Sequence, residues 1–145
     1  MSSFEKLERW VYVSESLIAT ERFEEEIDKI VSVSRRRNFD MSATGALIFA
    51  GRRFAQLIEG PPECVVELRK SISADVRHRL VTTICSSTPN SRQFKGWALV
   101  YSGASRYMSD ILNDVVLGDI EQNHTTSRVV LKIFEAFAAE AKITR

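Results

Sequence analysis

Residues 44–59 constrain the fold more than any other stretch. Thr44-Gly45-Ala46-Leu47-Ile48-Phe49-Ala50 and Phe54-Ala55-Gln56-Leu57-Ile58-Glu59 are apolar, strand-forming runs with Gly51-Arg52 as a tight turn between them. Strands joined this closely pair antiparallel, so the middle of the chain is a β-hairpin. Around it, Trp10-Val11-Tyr12-Val13 reads as an earlier strand, and Leu80-Val81-Thr82-Thr83-Ile84-Cys85 and Trp97-Ala98-Leu99-Val100-Tyr101 as two later ones.

Helical periodicity fills the gaps. Phe23, Ile27, Ile30, Val31 and Ser34 share one face of a helix for which Thr20 is a candidate N-cap and Asn38 marks the end. Glu24-Glu25-Glu26 near its start and Arg35-Arg36-Arg37 at its end suit the helix dipole, so this charge segregation reads as capping rather than as a nucleic-acid patch. Pro62 opens a second helix with a stripe of Val65, Leu68 and Ile72, and a polar loop from Ser86 to Arg92 leads to Phe94 and the last strand. The order β-α-β-β-α-β-β predicts an α+β, ferredoxin-like, five-stranded mixed sheet with two helices on one face. Beyond Gly103 the pattern turns helical, first over Tyr107–Val116. A second helix over Thr125–Lys142 carries an apolar stripe of Val130, Ile133, Phe134, Phe137 and Ala138. We therefore expect a domain over 7–103 and a C-terminal helical extension over 104–145. The extension should pack on the sheet face opposite the first two helices or form a dimer contact.

Composition narrows the function classes. Of the 145 residues 44% are hydrophobic and 27% charged, ordinary for a soluble globular chain. Lys and Arg number 20 and Asp and Glu 19, so no bulk charge pulls the chain toward nucleic acid or an anionic membrane. No apolar run is long enough to span a bilayer, and the charged N-terminus is unlike a secretory signal, so a cytoplasmic location is expected. Cys64, Cys85, His78 and His124 are too few and too scattered for a zinc site, and the cysteines read as reduced thiols. Neither a G-x-S-x-G elbow, a P-loop nor an H-E-x-x-H pair is present.

Polar residues stand out in the predicted strands. Alternation puts Phe54, Gln56 and Ile58 on one face, and Trp10, Tyr12 and Ser14 on one face of the first strand. A buried carboxamide needs partners for its donors and its acceptor, supplied by the protein or by a bound polar ligand. A buried phenol likewise seeks a partner. If the first and third strands are neighbours, Tyr12 and Gln56 meet on the helix-covered face.

Six segments resemble a BLUF domain, a blue-light sensor that binds FAD: Trp10-Val11-Tyr12-Val13-Ser14, Arg37-Asn38, Thr44-Gly45, Phe54-Ala55-Gln56-Leu57-Ile58-Glu59-Gly60, Asp75-Val76-Arg77-His78 and Phe94-Lys95-Gly96-Trp97. The resemblance runs in order from about residue 7 to about residue 103 and implies the same ferredoxin-like fold. By it, Tyr12 corresponds to the light-active tyrosine and Gln56 to the glutamine that bridges it to the flavin. Trp97 joins them as the third photoactive residue. Asn38 would bond the pyrimidine edge of the ring, and Ile30 and Ile72 would sandwich it. Arg37, Phe54, Asp75 and Arg77 complete the implied cofactor contacts, and His78 is read as structural.

Leu99 stands where many members carry methionine, and Arg37 where others often have Asn or His. The resemblance further implies FAD as cofactor, with FMN as the alternative, and light-driven electron and proton transfer around Tyr12 and Gln56. No metal, nucleic-acid or membrane partner is expected. No effector domain follows within these residues, so output is expected through a separate protein partner, with a homo-oligomer as the assembly. A sensor rather than an enzyme is the main expectation. A flavin-dependent redox enzyme and a cofactor-free ferredoxin-like binding module are the alternatives.

Overall fold

The computed structural model describes residues 5–103, 106–118 and 123–144, with side chains to residue 141. Five strands form one mixed sheet in the order β4-β1-β3-β2-β5. They are β1 (Glu8–Ser16), β2 (Thr44–Ala50), β3 (Arg53–Gly60), β4 (His78–Ser87) and β5 (Val100–Ser102). The helices are α1 (Phe23–Asp40), α2 (Pro62–Ser73), α3 (Arg106–Asn113) and α4 (His124–Thr144). The predicted α+β, ferredoxin-like sheet is present, with α1 and α2 on one face. β1 pairs antiparallel with both β3 and β4, while β2 pairs antiparallel with β3 and parallel with β5.

The β2–β3 hairpin closes as expected. Gly51 and Arg52 both have positive φ, 61° and 63°, the conformation of a two-residue turn whose twist matches that of the strands. Gly45 has a different reason to be glycine: a Cβ there would lie 1.9 Å from the carbonyl oxygen of Leu57 on the paired strand. Backbone, unlike a side-chain tip, cannot swing aside. We expect Gly45→Ala to pry β2 from β3 and to cost on the order of 1–3 kcal/mol, read as a lower urea midpoint.

The core lies on both faces of the sheet. Val11, Val13, Ala46, Ile48, Ala55 and Leu57 point to one face and pack against Leu112, Val115, Val130, Ile133, Phe134 and Ala138 of the C-terminal segment. That segment therefore covers the sheet face opposite α1 and α2. On the α1/α2 face the apolar packing is divided. Trp10, Tyr12, Ile58, Val65 and Leu68 form one cluster with α2, and Ile27, Leu47, Phe54 and Leu99 form another with α1.

Four local expectations are corrected. Thr20 caps nothing: it opens a short 3-10 turn, Thr20–Arg22, and its hydroxyl accepts from Arg52 at 3.2 Å. Asn38 lies inside α1, which runs on to Asp40, and its side chain is buried. β4 is longer than predicted and has register shifts between Val11 and Tyr12 and between Val13 and Glu15 of its partner, with Leu80 at φ 53°. Such bulges twist an edge strand and blunt it against further pairing. β5, predicted from Trp97, starts only at Val100. The carbonyls of Ala98 and Leu99 are taken by side chains of α1, Asn38 Nδ2 at 2.8 Å and Arg35 Nε at 3.2 Å, instead of by a strand.

Candidate functional site

Register brings the two singled-out polar residues together. Tyr12 on β1 lies directly opposite Gln56 on β3, and its hydroxyl donates to Gln56 Oε1 at 2.6 Å. Both are buried, 3% and 4% exposed. Among the described residues nothing accepts from Gln56 Nε2, so half of the carboxamide is committed to Tyr12 and half is not.

Burial drives the Tyr12 phenol far above the ordinary tyrosine range, and the nearby charge of Asp75 adds to the effect. The hydroxyl therefore keeps its proton at any physiological pH, and it is a donor to Gln56 rather than a phenolate. The same shift has a consequence for stability. An unfolded tyrosine ionises around 10.0 while the folded one does not, so this contribution is complete below that pH and declines above it.

A narrow cleft opens at this pair, in the seam between the α1 and α2 clusters. Tyr12, Gln56, Leu47 and Phe54 line it from the sheet, Ile30, Val33, Ser34 and Arg37 from α1, and Ile72 from α2. Asp75, Arg77 and His78 close it beyond α2. Asp75 grips Arg77 through the guanidinium, at 2.6 and 2.9 Å, and through the backbone N–H at 2.9 Å. That grip outweighs burial and holds the Asp75 carboxyl below its ordinary range. Its stabilising effect is present above the usual carboxylate pKa and is lost as pH falls through the lowered one.

Arg37 donates to Ser71 at 2.6 Å, tying α1 to α2 across the cleft. His78 spans Ser14 Oγ at 2.7 Å and the Ile72 carbonyl at 2.6 Å. Since a carbonyl only accepts, Nε2 carries a proton and Nδ1 takes the Ser14 hydroxyl in the neutral ring.

Of the residues picked out from sequence, Tyr12, Ile30, Arg37, Phe54, Gln56, Ile72, Asp75 and Arg77 all line this cleft. Asn38 and Trp97 do not line it. Asn38 turns to Ala98, and Trp97 sits in the segment before β5, its carbonyl accepting from Gly45 N at 3.2 Å. Val33, Ser34 and Leu47 were missed, and His78 was read as structural only. The signals existed: Val33 and Ser34 follow Ile30 by three and four residues on one helix face, and a two-residue hairpin places Leu47 opposite Gln56. Among the described residues no cluster of three His, Cys, Asp or Glu is placed to hold a metal ion.

The donor set suits a flat heteroaromatic ring with polar edges. Branched aliphatic walls come from two helices, a carboxamide with open hydrogen-bonding capacity lies at the floor, and two guanidinium groups stand near the exit.

Residues 7–100 match the family model described as BLUF, sensors of blue-light using FAD, and the chain belongs to that family. It is 34% identical over 90 residues to the blue light- and temperature-regulated antirepressor BluF of Escherichia coli (strain K12). A second relative is the photoactivated adenylate cyclase subunit beta of Euglena gracilis, 33% identical over 89 residues. Each match takes in 61% of this chain but only 22% and 10% of those proteins. Among solved structures, the dark state of the BLUF protein BlrB superposes with a TM-score of 0.73 at 25% identity, covering 95% of this chain and 99% of that one.

Proposed function

We propose that this protein is a blue-light photoreceptor that holds FAD in the α1/α2 cleft and responds through Tyr12 and Gln56. The observation that carries the reading is the buried 2.6 Å hydrogen bond between those side chains at the cleft floor. Bound there, an isoalloxazine supplies, once excited by blue light, a strong one-electron oxidant; FMN carries the same ring.

Ile30 and Ile72, on facing walls of the cleft, would hold the ring faces and exclude water. Phe54 packs at the floor, and Arg37, Asp75 and Arg77 hold the polar end. Asn38 Nδ2 keeps a second N–H beyond the one given to Ala98, but Asn38 lies off the cleft wall and would have to move to reach a ligand carbonyl. Tyr12, neutral because buried, gives up an electron and passes its proton along the existing bond to Gln56 Oε1. A carboxamide both donates and accepts, so Gln56 can return the proton in a rearranged orientation. With its N–H₂ turned toward a ring carbonyl, Gln56 would stabilise the excited state more than the ground state and move the absorption red.

We assign residues 7–103 to sensing and 104–145, whose described helices pack on the opposite face of the sheet, to transmission. Trp97, outside the cleft wall, belongs in our reading to the transmitting path, since its carbonyl accepts from β2 at Gly45. The light-regulated relatives named above are an antirepressor and a cyclase subunit. We infer that here too the signal passes to a protein partner, with a homo-oligomer as the working assembly. No helix among the described residues is long and apolar enough to cross a membrane.

Purified protein should be yellow, and blue light should shift its flavin bands reversibly to longer wavelength. Because Tyr12 stays protonated, the shift should have the same amplitude at neutral and mildly alkaline pH. A colourless protein from flavin-replete cells, or a yellow one whose light response is bleaching by nicotinamide-dependent reduction, would point to a binding module or a redox enzyme.

A further inference from the structure

Tyr12 has a second aromatic neighbour that the proposed photochemistry does not use. Trp10, two residues earlier on β1, stacks on it with ring centroids 4.6 Å apart and planes 28° from parallel. Trp10 is 1% exposed, so the pair is shielded from water. On its far side Trp10 meets two groups. Its indole N–H donates to Thr83 Oγ1 at 2.9 Å, and the Arg69 guanidinium lies 4.9 Å from its ring centroid while also donating to Thr83 at 3.1 Å. Gln56 thus bonds Tyr12, Tyr12 stacks on Trp10, which is not among the cleft-lining residues, and the Arg69 cation lies over Trp10.

We propose that Trp10 is a second electron donor in series with Tyr12, and that Arg69 restrains it. This rests on the light-driven oxidation of Tyr12 proposed above. With excited oxidised flavin bound as the one-electron acceptor, Tyr12 would give up an electron and its phenolic proton would move to Gln56 Oε1. An electron then passes from the Trp10 indole to the tyrosyl oxygen as that proton returns from Gln56, so Tyr12 is restored and Trp10 is left as the radical cation. Its N–H proton stays on Nε1, bonded to Thr83 Oγ1. The flavin holds the electron, Trp10 holds the hole, and direct return of that electron restores the starting state without a Gln56 rearrangement.

The Trp10 route is thus a drain on the productive reaction. A cation over an indole face stabilises the neutral ring and opposes positive charge on it. Arg69 accordingly keeps the hole on Tyr12, where the Gln56 switch can capture it.

The test is transient absorption of the flavin-loaded protein after a blue flash, read for the tryptophanyl radical alongside the yield of red-shifted product. Trp97→Phe provides the background, because Trp10 is then the one tryptophan left of two. In that background Arg69→Gln should raise the tryptophanyl signal about threefold, the scale of an exposed cation–π contact, and lower the red-shifted yield. Arg69→Lys, which keeps the charge, should hold both near their starting values. Adding Trp10→Phe should abolish the radical band, and Tyr12→Phe should abolish it too, because Trp10 donates through Tyr12. Melting of the flavin-free variants checks that each one folds.

A radical band that survives both Trp10→Phe and Trp97→Phe, or an Arg69→Gln protein with no more radical than its parent, overturns the proposal while leaving the Tyr12–Gln56 reading intact. A flavin-loaded parent with neither radical nor red shift overturns both.

Discussion

Tyr12→Phe should keep the yellow colour and lose the red shift entirely. The ring that packs on Trp10 and lines the cleft is retained, so cofactor affinity and dark absorption should barely change. What disappears is one oxygen, and with it the electron donor of suitable potential, the proton and the 2.6 Å bond to Gln56. The substitution also has a thermodynamic signature. Gln56 Oε1 is left buried without its donor, at a cost of about 1–3 kcal/mol, so the flavin-free variant should melt several degrees lower. Absorption before and after illumination and a melting curve check both halves. A photocycle that persists in Tyr12→Phe would remove Tyr12 from the mechanism.

Glu59→Ala should have the largest effect on stability, about 3–5 kcal/mol. Glu59 is 0% exposed and sits at the end of β3, three residues beyond Gln56. Its carboxylate accepts from Arg9 at 3.1 Å, from the Thr44 hydroxyl at 3.0 Å, and from the backbone N–H groups of Gln93 and Phe94 at 2.8 and 2.7 Å. Truncation strands two backbone donors and takes from Arg9 and Thr44 their shared acceptor, leaving Arg9 only the Ser91 carbonyl. It also unclamps the segment that carries Phe94, whose ring meets Phe137 of α4 at 6.1 Å. Urea unfolding should give a markedly lower midpoint, and amide exchange should quicken over residues 93–99. Glu59→Gln keeps one acceptor but turns an N–H₂ toward donors, so it should fall between wild type and Glu59→Ala. Wild-type stability in Glu59→Ala would show the clamp to be dispensable.

How much of this was legible in the sequence depended on the range of the interaction. The hairpin was fully legible, because Gly51-Arg52 sets the turn and the turn sets the register. Tyr12 opposite Gln56 was legible in one further step, since alternation assigns faces and the split β-α-β order makes β1 and β3 neighbours. The extent of β5 was not. Trp97, Ala98 and Leu99 have strand-forming side chains, yet Asn38 and Arg35, some sixty residues earlier, claim the carbonyls of Ala98 and Leu99. Local propensity carries no trace of that competition. Glu59 was visible as part of a motif, but its role as a clamp depends on where the loop after β4 returns. His78 looked structural; it makes two bonds to the protein and also stands on the cleft wall, a place that follows only from the β4 pairing of Ser16 with His78.

The most direct measurement of the central claim is a light-minus-dark infrared spectrum of protein isotopically labelled at the glutamine side chain and, separately, at the tyrosine ring. Isotope-sensitive bands from both labels should be present, and both should vanish in Tyr12→Phe and in Gln56→Leu. A difference spectrum that contains only flavin bands and ignores both labels would contradict the account.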